Sequence, residues 1–123
     1  MPLAWIVDDD EEMCEAITLM LDLLGFRAVS YHSARRAAEA LMAGQRPAVI
    51  ILDIMMPEVS GIDLLEFLRA RHELRDVPVV MLSSETTDVQ VDEAMALGAD
   101  AFAFKPVTID ELEVALRKAL KSH

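Results

Sequence analysis

Short apolar runs alternate with longer amphipathic segments along the whole chain. The clearest run, Ile50-Ile51-Leu52, has no alternation with polar residues, which is typical of a strand buried on both faces of a parallel sheet. Taken together, the runs predict strands at residues 3–7, 27–31, 47–53, 79–82 and 101–104.

The segments between these strands repeat apolar residues every three or four positions, as amphipathic helices do. Ser33 is a favoured N-cap, and Thr87-x-x-Gln90 and Thr108-x-x-Glu111 have the capping-box pattern. Pro57, Ser60 and Gly61 predict a loop after the third strand. The predicted helices cover residues 13–24, 34–43, 62–72, 87–97 and 109–120.

Strict alternation of strands and helices predicts a fold class. It favours an α/β protein with right-handed crossovers between parallel strands. We therefore predict a doubly wound, flavodoxin-like, five-stranded parallel sheet of order 2-1-3-4-5, flanked by five helices. A length of 123 residues suits one domain, and no linker or repeat interrupts residues 1–123.

Composition narrows the class of partner. Apolar residues make up 54% of the chain, which excludes a disordered protein, and the net charge is −11. So acidic a domain is a poor nucleic-acid binder by itself and suits a cation or a partner with a basic surface. No apolar run is long enough to span a bilayer, and the lone Cys14 fits a reducing cytoplasm.

Charged or hydroxyl-bearing side chains stand at the carboxyl ends of four of the five predicted strands. Because parallel strands end at the same edge of the sheet, we expect these side chains to share one crevice. The set consists of three carboxylates, a hydroxyl and an ammonium group: Asp8 and Asp9, Asp53, Ser83, and Lys105.

Carboxylates this close need a counter-charge, because two of them about 4 Å apart repel by roughly 4 kcal/mol at an effective dielectric near 20. An all-oxygen set with room for water suits Mg²⁺ or Mn²⁺. The set therefore indicates a metal-assisted phosphoryl acceptor with Asp53 as the nucleophile. Each residue also has a simpler role: Asp53 can cap a turn, Lys105 can pair with the acids, and Ser83 can end a strand.

Several motifs, in order and at these spacings, make the chain similar to a known family. It resembles the receiver domain of two-component response regulators along essentially its whole length. The matching motifs are Val7-Asp8-Asp9-Asp10, Leu52-Asp53-Ile54-Met55-Met56-Pro57 with Gly61, Met81-Leu82-Ser83-Ser84, Gly98-Ala99-Asp100-Ala101-Phe102, and Phe104-Lys105-Pro106.

This resemblance implies that Asp53 accepts a phosphoryl group from a phosphohistidine on a sensor histidine kinase or histidine phosphotransfer protein. It implies that Asp9, Asp53 and the backbone carbonyl of Met55 hold Mg²⁺, while Asp8 acts through water. It also implies that Ser83 and Lys105 contact the phosphoryl oxygens, and that the Lys105–Pro106 bond is cis.

The resemblance further implies a conformational switch. On phosphorylation Ser83 would move toward the phosphate, and Phe102 would turn into the space that opens. The fourth helix, the fifth strand and the last helix would then present a changed face to a downstream effector or to a second copy of the chain. No catalytic activity is expected beyond the domain's own phosphorylation and dephosphorylation.

Three residues depart from the commonest forms of the family pattern. Ser83 stands in place of Thr, Ser84 in place of Ala or Gly, and Phe102 in place of Tyr. Phe102 keeps a rotating ring but has no phenolic hydroxyl, so a steric readout of the switch survives and a hydroxyl-dependent one is in doubt. Met55 and Glu85 occupy the positions that tune phosphoryl lifetime in the family.

Three alternatives differ in the chemistry they need. A haloacid-dehalogenase-type phosphatase wants a second Asp where this chain has Met55. A flavodoxin-like cofactor carrier needs a phosphate-binding loop after the first strand, where the aspartates would repel phosphate. A degenerate receiver that serves only for docking or dimerisation is the remaining alternative, although every chemical position is filled.

Overall fold

The computed structural model describes residues 1–56, 58–84 and 88–122, and residues 88–90 by their backbone alone. Five strands alternate with five helices in these ranges. The strands are β1 Leu3–Val7, β2 Arg27–Tyr31, β3 Val49–Asp53, β4 Val79–Ser83 and β5 Ala101–Phe104. The helices are α1 Glu11–Leu23, α2 Ala34–Met42, α3 Gly61–Ala70, α4 Asp88–Ala96 and α5 Ile109–Lys121.

All strand pairs are parallel, and the strand order is β2-β1-β3-β4-β5. The predicted doubly wound sheet and its order are therefore confirmed. β3 and β4 are buried along their whole length, as expected of central strands covered on both faces.

Alternate strand residues point to opposite faces of the sheet and form two apolar layers. Trp5, Ile50 and Leu52 face the layer that holds the buried residues of α2 and α3. Ile6 and Ile51 face the layer covered by α1 and α5. The sheet thus lies between two apolar layers, one on each face.

Two helix ends lie two residues from their predicted positions, whereas the other helix ends lie within one residue. α1 begins at Glu11, because the Asp10 carboxylate caps it by accepting hydrogen bonds from the amides of Glu12 and Met13. α3 ends at Ala70 rather than at residue 72, because Arg71 takes an extended conformation.

Capping contacts fix the starts of the later helices. The Thr108–Glu111 capping box is present at α5. A second box, formed by Ser60 and Asp63, opens α3 and was not predicted. The proposed box at Thr87 lies outside the described residues. Among the described residues, no helix combines the length and apolarity that crossing a bilayer requires.

Candidate functional site

The strand register brings the chemical side chains to one edge of the sheet. Val7 is the register partner of Leu52, so the next residues along the two segments, Asp8 after β1 and Asp53 in β3, lie side by side. On the other side, Asp53 pairs with Leu82, and Ser83 pairs with Phe104. The predicted residues at the ends of β1, β3, β4 and β5 therefore lie at the same edge, each within one register position of the next.

Lys105 links the two buried carboxylates. Its Nζ atom lies 2.8 Å from Asp8 Oδ2 and 3.2 Å from Asp53 Oδ1. The Asp8 side chain is fully buried, and that of Asp53 is 5% exposed. The ammonium group offsets part of the cost of holding two like charges in a low-dielectric crevice.

The backbone around Asp8 fixes its orientation. Asp8 Oδ1 accepts a hydrogen bond from the Asp10 amide at 3.0 Å, and the Asp8 amide donates to the Tyr31 carbonyl at 3.0 Å. The buried Cys14 thiol donates to the Asp8 carbonyl over 3.3 Å. Burial, with a smaller effect from Asp8, raises the pKa of Cys14 to about 11, so the thiol stays protonated at neutral pH.

Asp53 is held from the opposite side by the loop that enters α3. The Met55 amide donates to Asp53 Oδ1 at 3.4 Å, and the Gly61 amide donates to the Ile54 carbonyl at 3.0 Å. A Cβ atom at position 61 would collide with the backbone carbonyl of Asp53. Glycine is therefore required where the start of α3 meets the end of β3.

The crevice changes the protonation of its charged groups. Burial, with a further effect from Asp8, raises the pKa of Asp53 from 3.8 to about 6, although Lys105 opposes the rise. Burial alone would lower the pKa of Lys105, but the two carboxylates outweigh it and raise that pKa. The lysine therefore stays charged at physiological pH, while Asp53 holds its negative charge less firmly than an exposed aspartate.

Three of the predicted metal ligands come together. One carboxylate oxygen from each of Asp8, Asp9 and Asp53 lies within 4.8 Å of the others. Asp9 is exposed, so the cluster opens to solvent on its side. The buried Asp8 Oδ2 atom has the Lys105 ammonium as its ion-pair partner and no hydrogen-bond partner among the described residues. Hard oxygen donors with one wet side fit Mg²⁺.

The other predicted site residues lie nearby or outside the description. Ser83 is buried at the end of β4, and its carbonyl accepts the Lys105 amide at 2.8 Å. The Lys105–Pro106 peptide bond is cis. Phe102 is 37% exposed on β5, with its ring edge-on to Phe104 at 5.4 Å between centroids. Glu85 lies outside the described residues.

Two contacts near the site were missed by the sequence reasoning. The thiol contact to the Asp8 carbonyl had no signal beyond the position of Cys14 six residues along the chain. The close approach of Gly61 to Asp53 also went unnoticed, although Ser60-x-x-Asp63 is a readable start signal for a helix.

Comparisons with known proteins show the family of this chain. The family model described as "Response regulator receiver domain" matches residues 4–117. The chain belongs to this family. The receiver is 36% identical over 101 residues to the two-component response regulator ORR7 of Oryza sativa subsp. japonica, covering 82% of this chain and 48% of that protein.

Other similar proteins extend the comparison to almost the whole receiver. The transcriptional regulatory protein KdpE of Mycobacterium tuberculosis is 32% identical over 121 residues, covering 98% of this chain and 52% of that protein. The receiver thus spans about half the length of both curated relatives. The solved structure of chemotaxis protein CheY4 from Vibrio cholerae superposes with a TM-score of 0.89 at 26% identity, covering 98% of this chain and 99% of that one.

Proposed function

We propose that this receiver is a phosphoacceptor, in which Asp53 takes a phosphoryl group from a phosphohistidine on a sensor histidine kinase or histidine phosphotransfer protein. The observation that carries the proposal is the position of the Lys105 ammonium group between Asp8 and Asp53 at the carboxyl edge of the sheet. A buried structural pair needs one carboxylate for one lysine, whereas a phosphoryl site needs an acceptor, a counter-charge and spare acid for a metal. The proposal treats residues 1–123 as one receiver domain.

The proposed reaction is a displacement at phosphorus. A carboxylate oxygen of Asp53 attacks the phosphorus atom, the P–N bond to the donor imidazole breaks, and its electron pair stays with the imidazole nitrogen. Lys105 already contacts the acceptor carboxylate and would pair with the phosphoryl oxygens. Ser83, buried at the end of the neighbouring strand, would donate its hydroxyl to the same group.

A divalent cation fits the remaining acidic groups. Asp9, Asp53 and the Met55 backbone carbonyl would hold Mg²⁺ or Mn²⁺, with Asp8 acting through water. When bound, the cation would neutralise charge on the transferring phosphoryl group. Support comes from the three mutually close carboxylate oxygens and from the buried Asp8 Oδ2 atom, which among the described residues has the ammonium group as its one partner.

We propose that phosphorylation changes the face formed by α4, β5 and α5. A phosphoryl group adds about −1.5 to −2 charges and three acceptor oxygens next to Ser83. Ser83 and Phe102 would act as the switch pair, in which the Phe102 side chain, 37% exposed, would turn inward. Met55 and Glu85 would tune the phosphoryl lifetime, Met55 from a half-exposed position at the mouth of the site.

The changed face would bind a downstream effector domain or protein, or a second copy of the receiver. The exposed charge of α4 at Asp92 and Glu93 is acidic, whereas Lys118 and Lys121 make the last turn of α5 basic. A two-fold dimer that pairs α4 with α5 would therefore bring opposite charges together. We propose a cytoplasmic location for this acidic domain, without direct binding to nucleic acid or to a membrane.

The alternative is a degenerate receiver used only for docking or dimerisation. Such a domain would keep the fold without needing a lysine between two buried acids. A phosphatase of the haloacid-dehalogenase type is disfavoured, because the side chain two residues after Asp53 is the thioether of Met55.

Phosphorylation in vitro separates these alternatives. With acetyl phosphate and Mg²⁺, intact mass spectrometry is expected to detect one added phosphoryl group on the parent chain and none on Asp53→Asn. Asp22→Asn changes an exposed aspartate of α1 and serves as the matched control, which we expect to label like the parent. Equal labelling of Asp53→Asn would refute the acceptor assignment, and an unlabelled parent would favour the docking alternative.

A further inference from the structure

A cluster of buried polar contacts lies at the edge of the sheet opposite to the acidic site. Arg69, in the last turn of α3, has a side chain that is only 15% exposed. Its guanidinium group donates three hydrogen bonds. Its Nε atom donates to the Gly98 carbonyl at 2.9 Å, and its Nη1 atom donates to the Val77 carbonyl at 2.8 Å. Its Nη2 atom donates to Asp100 Oδ2 at 3.0 Å.

Asp100 connects Arg69 to the sheet through hydrogen bonds to the first residue of β4. The same Oδ2 atom accepts the Val79 amide at 2.8 Å, and the Asp100 amide donates to the Val79 carbonyl at 3.0 Å. The turn between α4 and β5 is thus bonded to the first residue of β4 and to the end of α3. Hydrogen bonds that involve ionised partners are about twice as strong as neutral ones, so this turn is firmly held.

The geometry of Gly98 fits the same arrangement. Gly98 has a φ of +105°, and a Cβ atom there would lie 3.1 Å from Arg69 Nε. The Gly98 amide donates to the Met95 carbonyl at 3.1 Å, and the Ala99 amide donates to the Ala94 carbonyl at 3.0 Å. This pair of bonds is a Schellman motif, which ends α4 at Ala96, two residues before the glycine whose carbonyl Arg69 binds.

The side chains described along α4, those of residues 91–96, contribute apolar contacts to the core. Of these described side chains, Val91 and Ala94 are the buried ones, and both are small. The helix has nine residues and is therefore about 13 Å long. Its first residue follows Ser83, at the phosphoryl site, by only five positions. One end of α4 is thus close in sequence to the chemistry, and the other is fixed by an ion pair.

We propose that the Arg69–Asp100 pair is the fixed pivot of α4. Phosphorylation of Asp53 would then swing the end of the helix nearest Ser83, while residues 97–100 stay in place. Because β5 begins at Ala101, directly after the anchored turn, the pivot keeps Phe102 in register while α4 moves. Arg69 and Asp100 are positioning residues that act through α4, and this inference rests on the proposed phosphoacceptor function.

Hydrogen exchange tests the pivot, because the amides of Gly98, Ala99 and Asp100 all have named acceptors. In the parent chain we expect these amides to be protected and to keep their exchange rates when Mg²⁺ and beryllium fluoride, a mimic of the aspartyl phosphate, are added. In Arg69→Gln we expect them to exchange about ten-fold faster or more, as losing a charge-assisted hydrogen bond implies. We also expect beryllium fluoride to change their exchange in this variant.

Two further variants keep the test decisive. Asp100→Asn retains an acceptor for the Val79 amide while removing the charge, and is expected to show the same effect more weakly. Arg75→Gln makes the same chemical change at an exposed arginine and should behave like the parent. Unchanged protection of residues 98–100 in Arg69→Gln, or a parent whose residues 98–100 respond to beryllium fluoride as strongly as residues 91–94, would overturn the pivot.

Labelling by acetyl phosphate, followed by intact mass, separates this inference from the proposed function. We expect Arg69→Gln to take up the phosphoryl group as the parent does, since Arg69 lies at the opposite edge of the sheet. Loss of labelling in the parent would remove the proposed function itself. If the parent is labelled normally but its residues 98–100 change their exchange when beryllium fluoride is added, only the pivot is refuted.

Discussion

Lys105 lies nearer to Asp8 than to Asp53, although Asp53 is the proposed acceptor: the Nζ–Oδ distances are 2.8 and 3.2 Å. The lysine is therefore paired mainly with a fully buried acid that the proposed reaction leaves unmodified. This arrangement keeps the ammonium group in the crevice whether or not Asp53 carries a phosphoryl group.

Removing the ammonium group is expected to destabilise the fold. Lys105→Met would leave Asp8 and Asp53 facing each other without their counter-charge, which we expect to lower the free energy of unfolding by about 1–3 kcal/mol at pH 7.5. The loss should shrink toward pH 5, because protonation of Asp53, whose pKa is about 6, then removes one of the two charges. Urea denaturation at both pH values measures the effect, and Lys121→Met, at an exposed lysine, is the control. A loss independent of pH would argue against unpaired acids as its cause.

Neutralising Asp53, the proposed acceptor, is expected to stabilise the metal-free protein. The folded state binds a proton at Asp53 more tightly than the unfolded chain does, with a pKa of about 6 against 3.8. The contribution of Asp53 to stability is therefore fully present below about pH 4 and is lost as the pH rises through 6. We expect Asp53→Asn to unfold with about 1–2 kcal/mol more free energy than the parent at pH 7.5 in EDTA.

The same comparison carries its own check. The advantage of Asp53→Asn should vanish near pH 4, where the parent side chain is neutral, and should narrow at pH 7.5 when Mg²⁺ stabilises the parent. Thermal or urea unfolding at the two pH values gives the comparison directly. If the parent were the more stable protein at pH 7.5 in EDTA, burial would not be the dominant influence on Asp53.

Metal binding should depend on Asp9 more than on other acids of the same run. We expect Asp9→Ala to lower Mg²⁺ affinity by about ten-fold or more in titration calorimetry, since a direct oxygen ligand is lost. Glu12→Ala removes an exposed carboxylate from the first turn of α1 and should cost far less. Equal effects of the two substitutions would mean that the cluster attracts cations only through its summed charge.

The glycine that opens α3 should tolerate no side chain. Gly61→Ala would drive a methyl group into the Asp53 carbonyl, so we expect a loss of about 2–4 kcal/mol in stability and a sharp fall in phosphoryl uptake. Gly25→Ala is the control for backbone strain alone, because Gly25 has a φ of +89° and open space around its Cβ position. Its expected cost is about 1 kcal/mol, with normal phosphoryl uptake. Similar costs at both glycines would contradict the collision.

Much of this site could be predicted because parallel strands impose it. Once residues 47–53 and 79–82 are recognised as buried strands, the sheet must bring Asp53 and Ser83 to one edge. The start of α1 was harder to predict, because the acidic residues Asp10 and Glu11 are both plausible at the start of a helix. Only the backbone geometry makes Asp10 the cap.

Contacts that depend on the path of a loop could not be predicted. The collision between a Cβ atom at position 61 and Asp53 arises from how residues 54–60 turn back on the strand. The end of α3 was misplaced because no Gly or Pro marks it, and the buried Leu74 continues the apolar pattern beyond Ala70. The Arg69–Asp100 pair joins residues 31 positions apart at an edge where no chemistry was expected.

The strand register has a consequence for the folding of the protein during its synthesis on the ribosome. The groups that meet in the crevice come from positions 8, 9, 53, 83 and 105, so Lys105 is synthesised after the other four. A nascent chain that ends before β5 has the acceptor but lacks the lysine that makes its buried charge tolerable. We therefore expect the crevice to be complete only when the fifth strand docks on the sheet.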